Sequence, residues 1–345
     1  MKRRPLTNVG ASVRQRLLTR SRQRGEEFQS LLTRYVVERL LYRLGRSRYS
    51  EEYILKGATL FALWGDPHRP TRDLDVLGTV TGDIRSLGEV FRDICGMHVV
   101  DDGVEFAGDG IRGEEIRGGQ DSPGVRMLVP ARIEAARILL QVDVGFGDSV
   151  VPAPETVDYP TLLEYPAPRL LVYPREAVVA EKFQAMVVLG MANSRMKDFY
   201  DVWILAKRFH FSGSRLAHAI RATFTRRGTP IPSGSIFRLL EEFADSEAKR
   251  AQWRGFIRKG GLDETVASLD QVVRFIREFL VPPTEYLMRS SRFEGVWPPG
   301  GPWTRLADSK NILRQSVPPP WTTAGSPRLE CTPSRSRETP SGVRM

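Results

Sequence analysis

Cysteine is nearly absent: 345 residues contain two, Cys95 and Cys331. A pair so sparse and so far apart excludes a disulfide framework and points to a reducing compartment, the cytoplasm. Histidine is also scarce. Four are present, none in paired spacing, which excludes a zinc cluster and, with so little cysteine, a Cys–His nucleophile. No run of about eighteen apolar residues occurs, so no membrane-spanning helix is expected. The opening "MKRRPLTNVGASVRQRLLTRSRQRG" is basic and lacks an apolar core, so it is not expected to act as a secretory signal.

What is there begins with 41% hydrophobic residues, enough for one large domain or two ordinary ones with a sizeable core. The net charge of +10 favours polyanionic partners such as nucleic acid. Much of that charge lies in the first 25 residues and in the C-terminal tail, where it also fits simple solvated ends.

Periodicity divides the chain. Residues 1–25 have few apolar positions and no period, and are expected to be poorly ordered. From Glu26, the residues Phe28, Leu31, Leu32, Tyr35, Val36, Leu40 and Leu44 recur at helical spacing and predict an amphipathic helix ending near Gly45. "YILKG" reads as a strand running into a turn, "ATLFALWG" as a short helix, "RDLDVLGTV" as a strand and "DIRSLGEVFRDICG" as a helix. "GVEFAGDGI", "GVRMLVPARI" and "ARILLQVDVGFG" are β-rich. Strands and helices thus interleave over 26–155, which predicts an α/β (α+β) domain with a mixed sheet. After a proline-containing link, helical periods dominate to residue 281, predicting an all-α domain over 156–281. From Pro282 to Met345 the composition is Pro, Ser, Gly, Arg and Thr with scattered Trp, and a disordered tail is expected.

Three carboxylates interrupt apolar strands. Asp73 and Asp75 lie on one face of "RDLDV", opposite Leu74 and Val76, and Asp143 interrupts "LLQVDVGFG". Adjacent carboxylates repel, and a buried one must be paired, rim-exposed or metal-bound. A hard oxygen donor set suits Mg²⁺, and Mg²⁺ held by carboxylates and substrate phosphates is the arrangement of phosphoryl and nucleotidyl transfer. The competing reading gives the aspartates solvent, or Arg69 and Arg72, as partners. Ahead of them, "LKGAT" sets Lys56, Gly57 and Thr59 at a strand-to-helix turn, where backbone N–H groups, a hydroxyl and an ammonium suit phosphate. In the helical half, Lys182 lies beside apolar residues, and Asp198 and Asp201 are three apart on one helix face. Lys182 there suits charge stabilisation in a transition state, or else belongs to a set of surface ion pairs.

The motifs "LKGAT", "RPTRDLDV", "LLQVDVGFGD", "AEKFQAMVVLG" and "NSRMKDFYDVW", in this order, resemble those of the AbiEii/AbiGii-type nucleotidyltransferase toxin family, over about residues 26–280. The resemblance implies a polymerase-β-like nucleotidyltransferase domain followed by a helical domain. It implies metal-dependent transfer of a nucleotide from an NTP, and a toxin paired with an antitoxin in a toxin–antitoxin or abortive-infection system. Similar members modify the 3′ end of tRNA. Carried across by position, Gly57 and its neighbours Lys56 and Thr59 fall on the phosphate-binding turn, Asp73 and Asp75 on the metal-binding pair, and Lys182 and Asp198 on the Ala-Glu-Lys and Lys-Asp motifs. Thr71 keeps the hydroxyl residue that precedes the acidic pair. Asp143 stands as a third metal ligand or a base for the acceptor hydroxyl. The implied cofactor is Mg²⁺, and the implied partners are an NTP, an RNA such as tRNA, and a cognate antitoxin or promoter-binding partner. Two alternatives remain: a nucleotidyltransferase that modifies a small molecule or a protein side chain, and a non-catalytic module that binds RNA or a partner.

Overall fold

The structure is a computed structural model and describes residues 8–65, 73–116, 124–148, 150–232, 234–262, 266–289 and 293–305. Two helices, α1 (Val9–Arg24) and α2 (Phe28–Arg46), precede the first strand, β1 (Tyr53–Lys56). A 3-10 turn at Gly57–Thr59 leads into the one-turn helix α3 (Leu60–Leu63). There follow β2 (Asp73–Gly78), α4 (Ile84–Cys95), β3 (Glu105–Phe106), β4 (Arg112–Ile116), β5 (Gly124–Ile133) and β6 (Ala136–Phe146). Next come β7 (Glu155–Asp158) and β8 (Arg169–Val172).

Among the described residues these strands form one mixed sheet in the order β3-β5-β6-β2-β1-β8-β7, with β4 also paired to β5. β2 sits between β6, to which it is parallel, and β1, to which it is antiparallel. Alternation decides what each face carries. Leu74, Val76 and Val142 turn to one side and share an apolar gap with Leu40, Leu41 and Leu44 of α2 and Phe91 and Ile94 of α4. The alternate positions Asp73, Asp75 and Asp143 are left on the opposite face. The mixed α/β fold expected from sequence is the one observed.

The helical half comprises α5 (Arg175–Leu189), α6 (Met196–Arg208), α7 (Gly213–Arg226), α8 (Gly234–Asp245), α9 (Glu247–Lys259) and α10 (Leu269–Met288). A small second sheet joins β9 (Phe211–Ser212), β10 (Gly295–Trp297) and β11 (Thr304–Arg305). Among the described residues no helix is long and apolar enough to cross a membrane.

Three expectations change. The N-terminal stretch is not unstructured over its described part, because residues 9–24 form α1. The Asn8 side chain accepts from the Ala11 N–H at 2.9 Å, Val13 and Leu17 are fully buried one turn apart, and Gly25 ends the helix at φ 66°. Two buried apolar residues in sixteen are too few to read as a period. Next, the sheet does not stop near residue 155. The proline-containing link supplies β7 and β8, and β8 runs parallel to β1, so the α/β part extends to Val172.

The third change concerns the segment after Leu280. α10 continues through Pro282 and Pro283 to Met288. Proline at 283 has no N–H for the Phe279 carbonyl, and that carbonyl instead accepts from the Trp303 indole at 2.9 Å. The Trp297 indole, 1% exposed, donates to Ala206 O at 2.7 Å, and its ring lies 5.0 Å from that of Phe279. Residues 282–289 and 293–305 therefore belong to the packed unit. Residues 306–345, with Trp321, lie outside the described residues.

Candidate active site

Strand pairing sets four charged residues in one row. Lys56 of β1 is opposite Asp75 of β2, Asp75 is beside Asp143 of β6, and Asp143 is opposite Arg126 of β5. The row reads cation, carboxylate, carboxylate, cation. Arg126 grips Asp143 with two hydrogen bonds, Nε to Oδ1 at 2.9 Å and Nη2 to Oδ2 at 3.0 Å. Gln141 Nε2 adds contacts of 3.2 Å to both oxygens. In this arrangement both oxygens of Asp143 face hydrogen-bond donors, Arg126 and Gln141. Among the described residues no three His, Cys, Asp or Glu side chains converge as a cation site. The acidic pair is Asp73 and Asp75, two apart on one face of β2. Burial pushes Asp75 above its ordinary 3.8; Lys56 and Lys197 pull against that, and Asp143 and Asp73 add to it.

The glycine turn is pressed against this pair. Gly57 has φ +73°, and a Cβ there would stand 2.6 Å from Asp75 Cγ. Glycine is thus required twice, by conformation and by space. Thr59 is placed differently from the reading that gives its hydroxyl to a phosphate. It is 3% exposed, and Oγ1 faces the Asp73 carbonyl at 3.5 Å, so it ties the turn to β2. Thr71, Arg69 and Arg72 lie outside the described residues.

Lys56 turns toward the helical half. Its ammonium is 3.2 Å from Asp148 Oδ2 and 5.8 Å from the centre of the Tyr173 ring. Burial alone would lower its pKa, but the carboxylates of Glu181, Asp148 and Asp75 hold it above its ordinary value. Arg227, at the end of α7, meets the same group of acids. Its Nη2 lies 3.6 Å from Asp148 Oδ1 and 3.7 Å from Glu181 Oε2, and Nη1 donates to Gln184 Oε1 at 3.0 Å.

Lys182 forms a buried clasp. Its Nζ is 2.8 Å from Asp198 Oδ1 and 2.8 Å from Asp201 Oδ2, and Asp201 is fully buried. Burial would raise Asp198, but the Lys182 ammonium, with Lys197 and Arg195, holds it below its ordinary 3.8. The surface-ion-pair reading of these residues does not hold.

Sequence reasoning missed Arg126, Asp148, Arg227 and Lys197 as neighbours of the acidic strand. Asp148 stands in "LLQVDVGFGD", five residues after Asp143, and was open to notice there. Arg126 and Arg227 carry no local signal, because only strand register and the approach of α7 bring them in.

A mixed sheet with an acidic pair on an inner strand, a glycine turn against it and a helical half behind it is the build of a nucleotidyltransferase. A family model described as "Nucleotidyl transferase AbiEii toxin, Type IV TA system" matches residues 39–274, and the chain belongs to that family. It is accordingly an enzyme, a toxin nucleotidyltransferase, and membership implies a nucleotide substrate and an antitoxin partner. Similar solved structures include JHP933 from Helicobacter pylori, with 12% identity, 84% of this chain and 99% of that chain covered, and a TM-score of 0.46. A nucleotidyltransferase described as putative, from the same organism, has 12% identity, 77% and 100% coverage and a TM-score of 0.46. MenT4, a nucleotidyltransferase toxin from Mycobacterium tuberculosis H37Rv, has 19% identity, 82% and 99% coverage and a TM-score of 0.45. No curated protein matches.

Proposed function

We propose that the protein transfers a nucleoside monophosphate from an NTP to a hydroxyl of RNA, at the 3′ end of tRNA, with Mg²⁺, and that this is how it acts as a toxin in the cytoplasm. The observation that carries the reading is the acidic pair Asp73 and Asp75 standing against the side-chain-free Gly57 turn, with Lys56 in register. The donor set fits the metal. Two hard carboxylates on one strand face, one pushed toward protonation by burial and by its acidic neighbours, favour a bound cation, and Mg²⁺ is commonly held by one or two carboxylates plus substrate phosphates. Asp73 and Asp75 would hold it, and when bound it would neutralise charge on the reacting phosphate.

The chain's own residues do the rest. Gly57 lets the polyphosphate approach the backbone, and Lys56 supplies positive charge beside it. Arg126 holds Asp143 in place beside the acidic pair, as a third ligand or a base for the acceptor hydroxyl. Lys182 is positioned by Asp198 and Asp201 to meet charge developing on the leaving pyrophosphate. The RNA hydroxyl attacks the α-phosphorus, the bond to pyrophosphate breaks and pyrophosphate leaves, and the hydroxyl proton passes to a carboxylate of the acidic row or to solvent water. The exposed Arg195 and Lys197 at the start of α6, with the net charge of +10, favour RNA over a small neutral acceptor.

The test is incubation of the protein with each labelled NTP, Mg²⁺ and total RNA, beside the Asp75→Asn variant. Label in RNA that depends on Asp75 and on Mg²⁺ is the expected result. Label appearing in protein or small molecules, and not in RNA, overturns the RNA assignment. Asp75-independent labelling overturns the site.

A further inference from the structure

Lys56 and Arg227 come from opposite halves of the fold, and Asp148 contacts both, with Glu181 also facing Arg227 at 3.7 Å. Each oxygen of Asp148 faces a different cation, Oδ2 toward Lys56 Nζ at 3.2 Å and Oδ1 toward Arg227 Nη2 at 3.6 Å. One anion with an oxygen for each of two basic side chains is how a phosphate group is held between them. The strand beside this pair comes close to it. Gly145 of β6 has no side chain there, and a Cβ on it would lie 3.5 Å from Lys56 Nζ. The three charged side chains are sheltered, with 20% of Lys56, 16% of Arg227 and 8% of Asp148 exposed. Cations so enclosed are costly without a partner. A site shaped for several phosphate charges therefore needs an anion of its own when no substrate is present.

We propose that Asp148 is an internal counter-anion: it holds Lys56 and Arg227 where they receive the polyphosphate of the NTP, and the polyphosphate displaces it. Arg227 then contacts the substrate, and Asp148 is a positioning residue. The inference rests on the nucleotide reading of the site and adds two residues to it. Displacement has a measurable signature. A group that must be moved aside lowers apparent affinity for the incoming ligand, so removing its charge should tighten binding by about three- to tenfold. A residue needed only for folding has the opposite effect.

The experiment measures equilibrium binding of inorganic pyrophosphate, and of each NTP with Mg²⁺, to the full chain by calorimetry. The proteins are wild type, Asp148→Asn, Arg227→Gln and Lys56→Gln, with melting temperatures recorded for each. The expected result is tighter pyrophosphate binding in Asp148→Asn and weaker binding in both cation variants. Equal or weaker binding in Asp148→Asn with an unchanged melting temperature overturns the proposal. Should Asp148→Asn fail to fold, Arg227→Gln decides: a raised KM for NTP with little change in kcat supports the proposal, and an unchanged KM overturns it. Wild-type protein that binds neither pyrophosphate nor any NTP overturns the nucleotide reading itself. Lys56-dependent NTP binding that neither Asp148→Asn nor Arg227→Gln alters overturns the counter-anion alone.

Discussion

Lys182 of α5 donates to Asp198 of α6 at 2.8 Å, and this bond, with the equal contact to Asp201, fastens two helices through a single ammonium. A lysine read from sequence as acting by charge is therefore also a structural clasp. Lys182→Met should cost about 10²–10³ in rate, as loss of an electrostatic donor does. It should also destabilise the fold by about 3–5 kcal/mol, because two buried carboxylates lose their partner. Turnover measured beside thermal melting checks both. An unchanged melting temperature would contradict the burial of the clasp.

The two perturbed aspartates of the candidate site should respond to pH with opposite signs. Asp198 is held below 3.8, so its contribution is present above that value and is lost as pH falls through its depressed folded pKa. Asp75 is raised above 3.8, so the stability it adds is present below 3.8 and lost as pH rises through its folded pKa. In metal-free protein, Asp75→Asn should therefore melt at or above the wild-type temperature at neutral pH while losing activity, and Asp198→Asn should flatten the acid limb. Melting curves across the carboxylate range decide it, and a lower neutral melting temperature in Asp75→Asn would count against the strain assigned to that side chain.

Gly57→Ala should fail on two counts. The φ of +73° costs about 1–3 kcal/mol for a residue with a side chain, and the new Cβ presses on the Asp75 carboxylate. Activity should fall as far as in Asp75→Asn, with a drop in melting temperature that Asp75→Asn does not show. Near-normal turnover would mean that the turn relaxes away from β2.

Cutting the chain after Leu280 should destroy the helical half, whereas cutting after Arg305 keeps every described contact. The shorter form loses the end of α10, the Trp297 bond to Ala206 and the Trp303 bond to Phe279. Trp297→Ala alone should cost about 3–5 kcal/mol. Melting transitions of the two truncated forms provide the check.

The acidic strand was legible because alternation is a local signal. Asp73, Leu74, Asp75 and Val76 spell out two faces within four residues, and β2 carries them as read. Helices α2, α4, α5 and α6 were equally open, each with an apolar stripe or run of its own. Arg126 and Arg227 were not, since their meaning lies in pairing partners 17 residues away and on another helix. Asp143 was legible in part for the same reason: an interrupted apolar strand shows that a carboxylate needs a partner without showing that Arg126 is one. The prolines at 282 and 283 marked an end to the helix that the structure does not observe, because an indole from 24 residues further on serves the carbonyl that proline leaves open.

That indole, with its neighbour at 297, also fixes an order of events. Ala206 waits for a donor 91 positions downstream, so α6 and α10 reach their final packing only after the ribosome has delivered the chain to Trp303. The clasp that positions Lys182 is built on α6. A chain cut before Trp297 thus carries the whole acidic strand yet lacks the indole contacts that brace the helices behind Lys182.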